Sequence, residues 1–310
     1  MIGAILGDIA GSRFEFAGNR KKPEVLFAPD CFPTDDTWLS EAVAYALNNS
    51  FWEKKATLEQ LVLKETIYAF IHHPEAGWGL GFVRWIRKTI AENGLNIDCL
   101  AIYPEKLKYA SNQSAGNGCA MKVASIPYFS SSLEECKELT RRVTSVTHDH
   151  PDSYWAAECL TTSIYRALHG GSKEEIRENI LSYYPEVENM TYAMLNKEYR
   201  YTELAKDTVP QAMVCFLESK DFEDALKMAV SIGGDADTLG AITGALAESF
   251  YGWTEETVLK YWSLIVPSEY SEPKYHPDDR GVRYFLMEAC NKFPDKFPRL
   301  EQMPWTRPIS

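Results

Sequence analysis

Basic residues are in deficit: 32 Lys and Arg stand against 44 Asp and Glu, a formal charge of −12. Binding nucleic acid through its phosphates requires a basic face, so no sequence-specific nucleic-acid partner is expected. Histidine is scarce, six in 310 residues, and the seven cysteines (Cys31, Cys99, Cys119, Cys136, Cys159, Cys215 and Cys290) never form a CxxC pair. That scatter offers neither a zinc site nor a disulfide framework and reads as reduced thiols of a cytoplasmic protein. No stretch approaches ~18 consecutive apolar residues, which excludes a membrane-spanning helix. Met1 to Phe16 lack a basic segment and carry Asp8 inside their apolar run, unlike a signal peptide. Period-two alternation is rare, and neither a low-complexity linker nor a repeat of fixed period occurs.

What remains is helical. Trp38, Leu39, Ala42, Val43, Ala46 and Leu47 recur at i, i+3 and i+4 after Thr34-Asp35-Asp36, a capping-type start. A second helix is expected from about Leu61 to Pro74, and a third through Val83, Ile86 and Ile90 to Asn93-Gly94. More follow over Ser132–Val146, Ser153–Leu168, Lys173–Tyr183 and Pro210–Glu218, and Phe222–Tyr251 holds two helices broken at Gly233-Gly234. The pattern predicts an all-α fold in one domain, residues 1–310, whose last ~45 residues form an irregular C-terminal wrap.

Five short segments are chemically dense. Thr34-Asp35-Asp36-Thr37 sets two carboxylates and two hydroxyls at a helix start, which by itself is explained by N-capping. Gly233-Gly234-Asp235-Ala236-Asp237-Thr238 sets alternating carboxylates before another helix, where a capping role does not account for three oxygen side chains in four residues. If the two segments face one another, four carboxylates share a cleft. Two divalent cations would neutralise them, and oxygen ligands select Mg²⁺, Mn²⁺ or Ca²⁺ over Zn²⁺. Gly116-Asn117-Gly118-Cys119-Ala120-Met121-Lys122 is a glycine-rich loop opening a helix, able to aim N–H groups at an anion and to add the charge of Lys122; many such loops are only turns. Thr147-His148-Asp149-His150-Pro151 offers two histidines as ligand contacts or as surface residues before a helix, whereas His72-His73-Pro74 reads as a helix end. In Gly7-Asp8-Ile9-Ala10-Gly11, small residues imply close packing and Asp8 can satisfy interior donors, while Glu15 beyond it reads by itself as solvated. Trp78, Phe82 and Trp85 read as core aromatics rather than a cleft wall.

Taken in order, these segments resemble the ADP-ribosylglycohydrolase family, relatives of dinitrogenase reductase-activating glycohydrolase. The resemblance covers roughly Met1 to Gly252 and includes the run Thr208–Ile232, which reads like the family's penultimate helices. It implies a compact orthogonal helical bundle with a binuclear Mg²⁺ or Mn²⁺ centre held by Thr34, Asp35, Asp36, Asp235, Asp237 and Thr238. It also implies a diphosphate and ribose loop, here Gly116, Asn117, Gly118, Cys119, Met121 and Lys122, with His148 as a ligand contact. Glu15 matches the mobile glutamate that in some members closes over the metals. Two positions depart from the pattern: Lys122 stands where Arg is usual, which loses a bidentate contact, and Cys119 replaces a Ser or Gly.

The implied reaction is hydrolysis of the bond between ribose C1″ of ADP-ribose and its acceptor, reversing ADP-ribosylation. Glu15 is the candidate for protonating the leaving group or positioning water, and Asp36 and Asp235 are candidates for accepting the water's proton. Arginine, serine, a nucleobase and a small molecule are all open as acceptors. Two alternatives stand beside this reading. A non-catalytic ADP-ribose-binding module should have lost a metal ligand, and a Mg²⁺-dependent phosphoesterase would release AMP.

Overall fold

Six of the described α-helices begin where Ser, Thr or Asp accepts a hydrogen bond from the first turn. Thr34 Oγ1 accepts from Asp36 N, Thr57 and Ser172 each form a reciprocal capping box, and Ser132, Thr191 and Asp221 cap in the same way. His150 does this with its ring, Nδ1 accepting from Asp152 N at 3.2 Å, and Pro151 follows at the first helical position. The computed structural model describes residues 1–95, 102–254, 256–257, 260–261 and 289–297.

Within these residues the helices are α1 (Ile2–Ser12), α2 (Asp35–Ser50), α3 (Leu58–His72), α4 (Leu80–Glu92), α5 (Gly118–Met121), α6 (Ile126–Phe129), α7 (Leu133–Ser145), α8 (Pro151–Leu168), α9 (Lys173–Tyr183), α10 (Tyr192–Glu198), α11 (Ala205–Glu218), α12 (Phe222–Ala229) and α13 (Ala236–Tyr251). Among the described residues there is no strand, only the isolated bridges Gln113–His148 and Gly116–Leu204. The all-α expectation holds. No helix of the described residues is long and apolar enough to cross a membrane. Most of the expected C-terminal wrap lies outside the described residues.

One boundary differs from expectation. α11 starts at Ala205, five residues before Pro210, which sits inside the helix. The early start is fixed by Ala205 N donating to Ala115 O at 2.9 Å and Thr208 Oγ1 donating to Leu204 O at 2.9 Å. Pro210 forfeits one helical hydrogen bond, which this anchoring accommodates.

α1 and α13 are buried along nearly their whole length, the signature of central helices. They run antiparallel in the most extensive helix pair of the molecule. Their axes approach closely because glycine faces glycine: a Cβ on Gly7 would lie 1.9 Å from Gly240 O, and one on Gly3 2.2 Å from Gly244 O. This pairing brings the C-terminal end of α1 beside the N-terminal end of α13. α2, α8, α11 and α12 pack around the pair, and one hydrophobic cluster runs through the helices. Trp78 and Trp85 belong to it, stacked or tilted against Phe82, with their indole N–H groups donating to His73 O and Ala110 O. The core reading of these aromatics is correct.

Candidate active site

The site begins with Asp8 on α1. Its carboxylate is buried and accepts from Thr34 N at 2.9 Å, Thr34 Oγ1 at 2.7 Å, Thr37 N at 3.1 Å and Thr37 Oγ1. These are unpaired donors at the start of α2, so Asp8 caps that helix from a distant part of the chain. Thr34 and Thr37 thereby hold the intervening pair, Asp35 and Asp36, against α1. Asp36 is 2% exposed, and its Oδ2 has no hydrogen-bond partner. A buried carboxylate oxygen left without a donor is costly unless something absent supplies positive charge.

The third segment enters through the turn before α13. Gly233 and Gly234 have φ of +72° and +84°, a conformation that favours glycine. A side chain at either would also collide, with the Arg20 guanidinium at 2.8 Å and the Tyr199 ring at 2.5 Å. Beyond the turn, Asp235, Asp237 and Thr238 are buried at the start of α13. Asp237 Oδ1 accepts from Thr238 N at 3.0 Å, and Asp235 Oδ2 accepts from Asn117 Nδ2 at 2.7 Å. Glu15, just past α1, completes the group: one carboxylate oxygen each from Glu15, Asp235 and Asp237 lies within 4.8 Å of the others.

None of these carboxylates is ion-paired among the described residues. Burial first, and the neighbouring Asp237 charge second, push Asp8 up to about 7 and raise Asp35, Asp36 and Asp235 well above the ordinary carboxylate range. Glu15 is likewise raised to about 7, by burial and then by Asp237. Crowded carboxylates resist simultaneous ionisation. The α2 and α13 N-termini, which carry Asp35, Asp36, Asp235 and Asp237, supply only partial positive charge. The donor set is oxygen throughout and includes an orphaned buried oxygen, so it fits hard divalent cations. The two acidic segments do face one another, and Glu15 is not the freely solvated residue its local sequence suggests.

The glycine loop forms the neighbouring wall. Asn117 turns its amide to Asp235, tying loop to carboxylates, and Asn117 N donates to Glu203 O at 2.7 Å. Gly116 and Gly118 leave room for His148, whose Nε2 would lie 3.6 and 3.1 Å from a Cβ at those positions. Burial, with Lys122 nearby, holds the His148 imidazole well below its ordinary pKa and thus neutral. Cys119 and Met121 face inward, and burial raises the Cys119 thiol to about 12, so it stays protonated. Lys122 was expected to bring its charge to a bound anion. The structure instead buries it to 1% exposure, with Nζ donating to Thr147 Oγ1 behind His148.

Arg20 escaped sequence reasoning. Its guanidinium donates to Asn196 O at 2.9 Å and to the Tyr199 and Ile232 carbonyls, while Asn19 Nδ2 donates to Val230 O at 2.9 Å. These bonds join the segment following Glu15 to the Gly233-Gly234 turn. A guanidinium serving only backbone carbonyls leaves no motif to read. The one signal was the paired glycine, which needed some neighbour to make room for.

Comparison with known proteins matches residues 1–263 to a family model described as ADP-ribosylglycohydrolase. The chain is 26% identical to ADP-ribosylhydrolase ARH3 of Homo sapiens over 81% of this chain and 84% of that protein. It is 25% identical to ADP-ribosylhydrolase ARH3 of Mus musculus, covering 84% and 85%. ADP-ribosylarginine hydrolase Tri1 of Pseudomonas putida is 24% identical, covering 81% and 69%. Among solved structures, an ADP-ribosylglycohydrolase-related protein complex shares the fold, with a TM-score of 0.58 at 24% identity over 81% of this chain and 85% of that one.

Proposed function

The chain belongs to the ADP-ribosylglycohydrolase family, and from that premise we propose that it hydrolyses the bond between ribose C1″ of ADP-ribose and an acceptor, using two Mg²⁺ or Mn²⁺ ions. The observation that carries this reading is the convergence of Glu15, Asp235 and Asp237 to within 4.8 Å, beside a buried Asp36 that feels the charges of Asp237 and Asp235 and has one oxygen unpartnered. Thr34, Asp35, Asp36, Asp235, Asp237 and Thr238 are the proposed ligands. Bound there, the ions would neutralise the carboxylates and act as Lewis acids toward ribose hydroxyls and water.

The chain's own groups divide the remaining work. Gly116 to Gly118 and His148 bind the diphosphate and ribose side, and Asn117 fixes their distance from Asp235. Glu15, raised to about 7, can carry a proton at neutral pH. It delivers that proton to the acceptor nitrogen or oxygen as the C1″ bond breaks. Water oxygen bonds to C1″, and its proton passes to Asp36 or Asp235. Intact ADP-ribose and free acceptor result.

The relatives named above include an arginine-directed hydrolase, so arginine is one acceptor to test first. Six described cysteines are free thiols, which supports a reducing compartment, the cytoplasm, as the place of action. The single hydrophobic cluster supports one catalytic domain. The decisive experiment incubates the protein and Mg²⁺ with ADP-ribosylated arginine, serine and nucleic-acid substrates, resolves products by mass, and includes EDTA and Asp237→Ala controls. Intact ADP-ribose released only by the metal-replete wild type supports the reading. AMP would replace it with a phosphoesterase, and ADP-ribose binding without turnover on any substrate would replace it with a binding module.

A further inference from the structure

His148 presents an unusual chain of partners. Its Nδ1 lies 2.7 Å from Thr147 Oγ1, and the same hydroxyl oxygen accepts from the ammonium of Lys122. All three side chains are buried, Lys122 and Thr147 to 1% exposure and His148 to 7%. An ammonium has only donors to offer, so Thr147 Oγ1 is an acceptor toward Lys122. The hydroxyl proton must then go elsewhere, and the structure gives Thr147 one other side-chain partner, His148 Nδ1. Nδ1 is therefore the acceptor, and in a neutral imidazole the proton resides on Nε2. Nε2 has no hydrogen-bond partner among the described residues and stands over Gly116 and Gly118.

From this geometry we infer that Lys122 and Thr147 lock His148 in its Nε2–H tautomer, so that the ring donates a hydrogen bond to an oxygen of the ligand on the Gly116–Gly118 loop. Lys122 and Thr147 are positioning residues; His148 alone touches the ligand. The lock explains why a lysine is held in the interior against a hydroxyl. Its charge polarises the hydroxyl and opposes the second protonation of the ring, which would disrupt the relay. The other tautomer would aim a bare Nε2 lone pair at an anionic oxygen and repel it. The identity of the ligand, ADP-ribose, rests on the function proposed above, whereas the tautomer does not depend on it.

The test is long-range ¹H–¹⁵N correlation spectroscopy of the full chain with ¹⁵N-labelled histidine at neutral pH, the His148 signals assigned by their loss in His148→Gln. The expected result is a protonated Nε2 and a bare Nδ1 before any ligand is added. Thr147→Val, which keeps the shape and removes the hydroxyl, should give a mixture of tautomers and weaken ADP-ribose binding about tenfold, the scale of one good hydrogen bond. It should raise KM with kcat little changed, and Thr147→Ser should restore both tautomer and affinity. A protonated Nδ1 or an imidazolium in the wild type would overturn the inference, and that measurement requires no variant to fold. Wild-type tautomer and affinity in Thr147→Val would overturn it as well. A failure to release ADP-ribose from any conjugate would instead sink the proposed reaction, leaving the tautomer result intact.

Discussion

The contact between α1 and α13 can be tested with one methyl group. In Gly7→Ala the new Cβ would lie 1.9 Å from Gly240 O, 2.2 Å from its carbonyl carbon and 2.7 Å from Ala241 N. Ordinary contact begins near 3.4 Å, so the two helices must part by roughly 1.5 Å, and both are buried along their length. Overpacking costs about 1–3 kcal/mol when side chains can yield. Here the obstacle is backbone, which places the loss at the upper end, about 3 kcal/mol or more. Helix propensity pulls the other way, since Ala is better than Gly by about 0.8–1 kcal/mol. The sign of the result therefore decides which effect wins. Gly81→Ala in α4 is the matched control, because a Cβ there meets nothing within 4 Å and only the propensity gain applies.

Thermal unfolding followed by circular dichroism, in EDTA and in Mg²⁺, reads both. Net of the propensity gain, Gly7→Ala should lower Tm by about 3–5 °C and Gly81→Ala should leave it unchanged or slightly raised. Gly7 precedes Asp8, and α13 carries Asp237, so parting the helices also misplaces the carboxylates. A displacement near 1 Å can cost on the order of 10²-fold in rate. Turnover in Gly7→Ala should therefore fall well below what partial unfolding explains. A Tm equal to or above wild type in Gly7→Ala would refute the close-packing argument.

Asp237→Asn should abolish turnover yet stabilise the metal-free protein at pH 7–8 by on the order of 1 kcal/mol, because Asp237 is a charge that Asp8, Asp35, Asp36 and Asp235 all feel; a raised Tm by calorimetry in EDTA checks it. Carboxylates with raised folded-state pKa values contribute most below the unfolded value near 4 and lose stability as pH climbs toward 7. Metal-free Tm should accordingly fall from pH 5 to 8, while Mg²⁺ affinity by titration calorimetry rises over the same range, since ligands must shed protons to bind. Glu15→Gln should cut kcat by about 10²–10³-fold with Mg²⁺ binding retained, and the loss of rate above about pH 7 expected of an acid at that pKa should vanish from the profile. Gly234→Ala, strained by its φ and blocked by Tyr199 at 2.5 Å, should weaken Mg²⁺ binding more than it lowers Tm, because the turn it distorts aims Asp235.

Much of this molecule is legible in one dimension. Helix period and caps are local properties, so α2, α3, α4, α7, α9, α12 and α13 stand close to where the sequence places them. The two acidic segments are legible as well, because hard-cation chemistry needs crowded oxygens and Thr34-Asp35-Asp36-Thr37 and Asp235-Ala236-Asp237-Thr238 each crowd them within four residues. Local pattern thus sets the kind of elements and the kind of chemistry. How they meet is a property of the folded molecule. Glu15 looks solvated in its own neighbourhood and becomes part of the site because antiparallel α1 and α13 carry it to Asp237. Lys122 looks like an anion contact and becomes an interior support for His148 because its loop turns inward. Arg20 carries no motif, since its partners are carbonyls from two remote segments. Propensity and ligand type act over a few residues, whereas burial and partnership join segments more than 200 positions apart, and no local pattern encodes those distances.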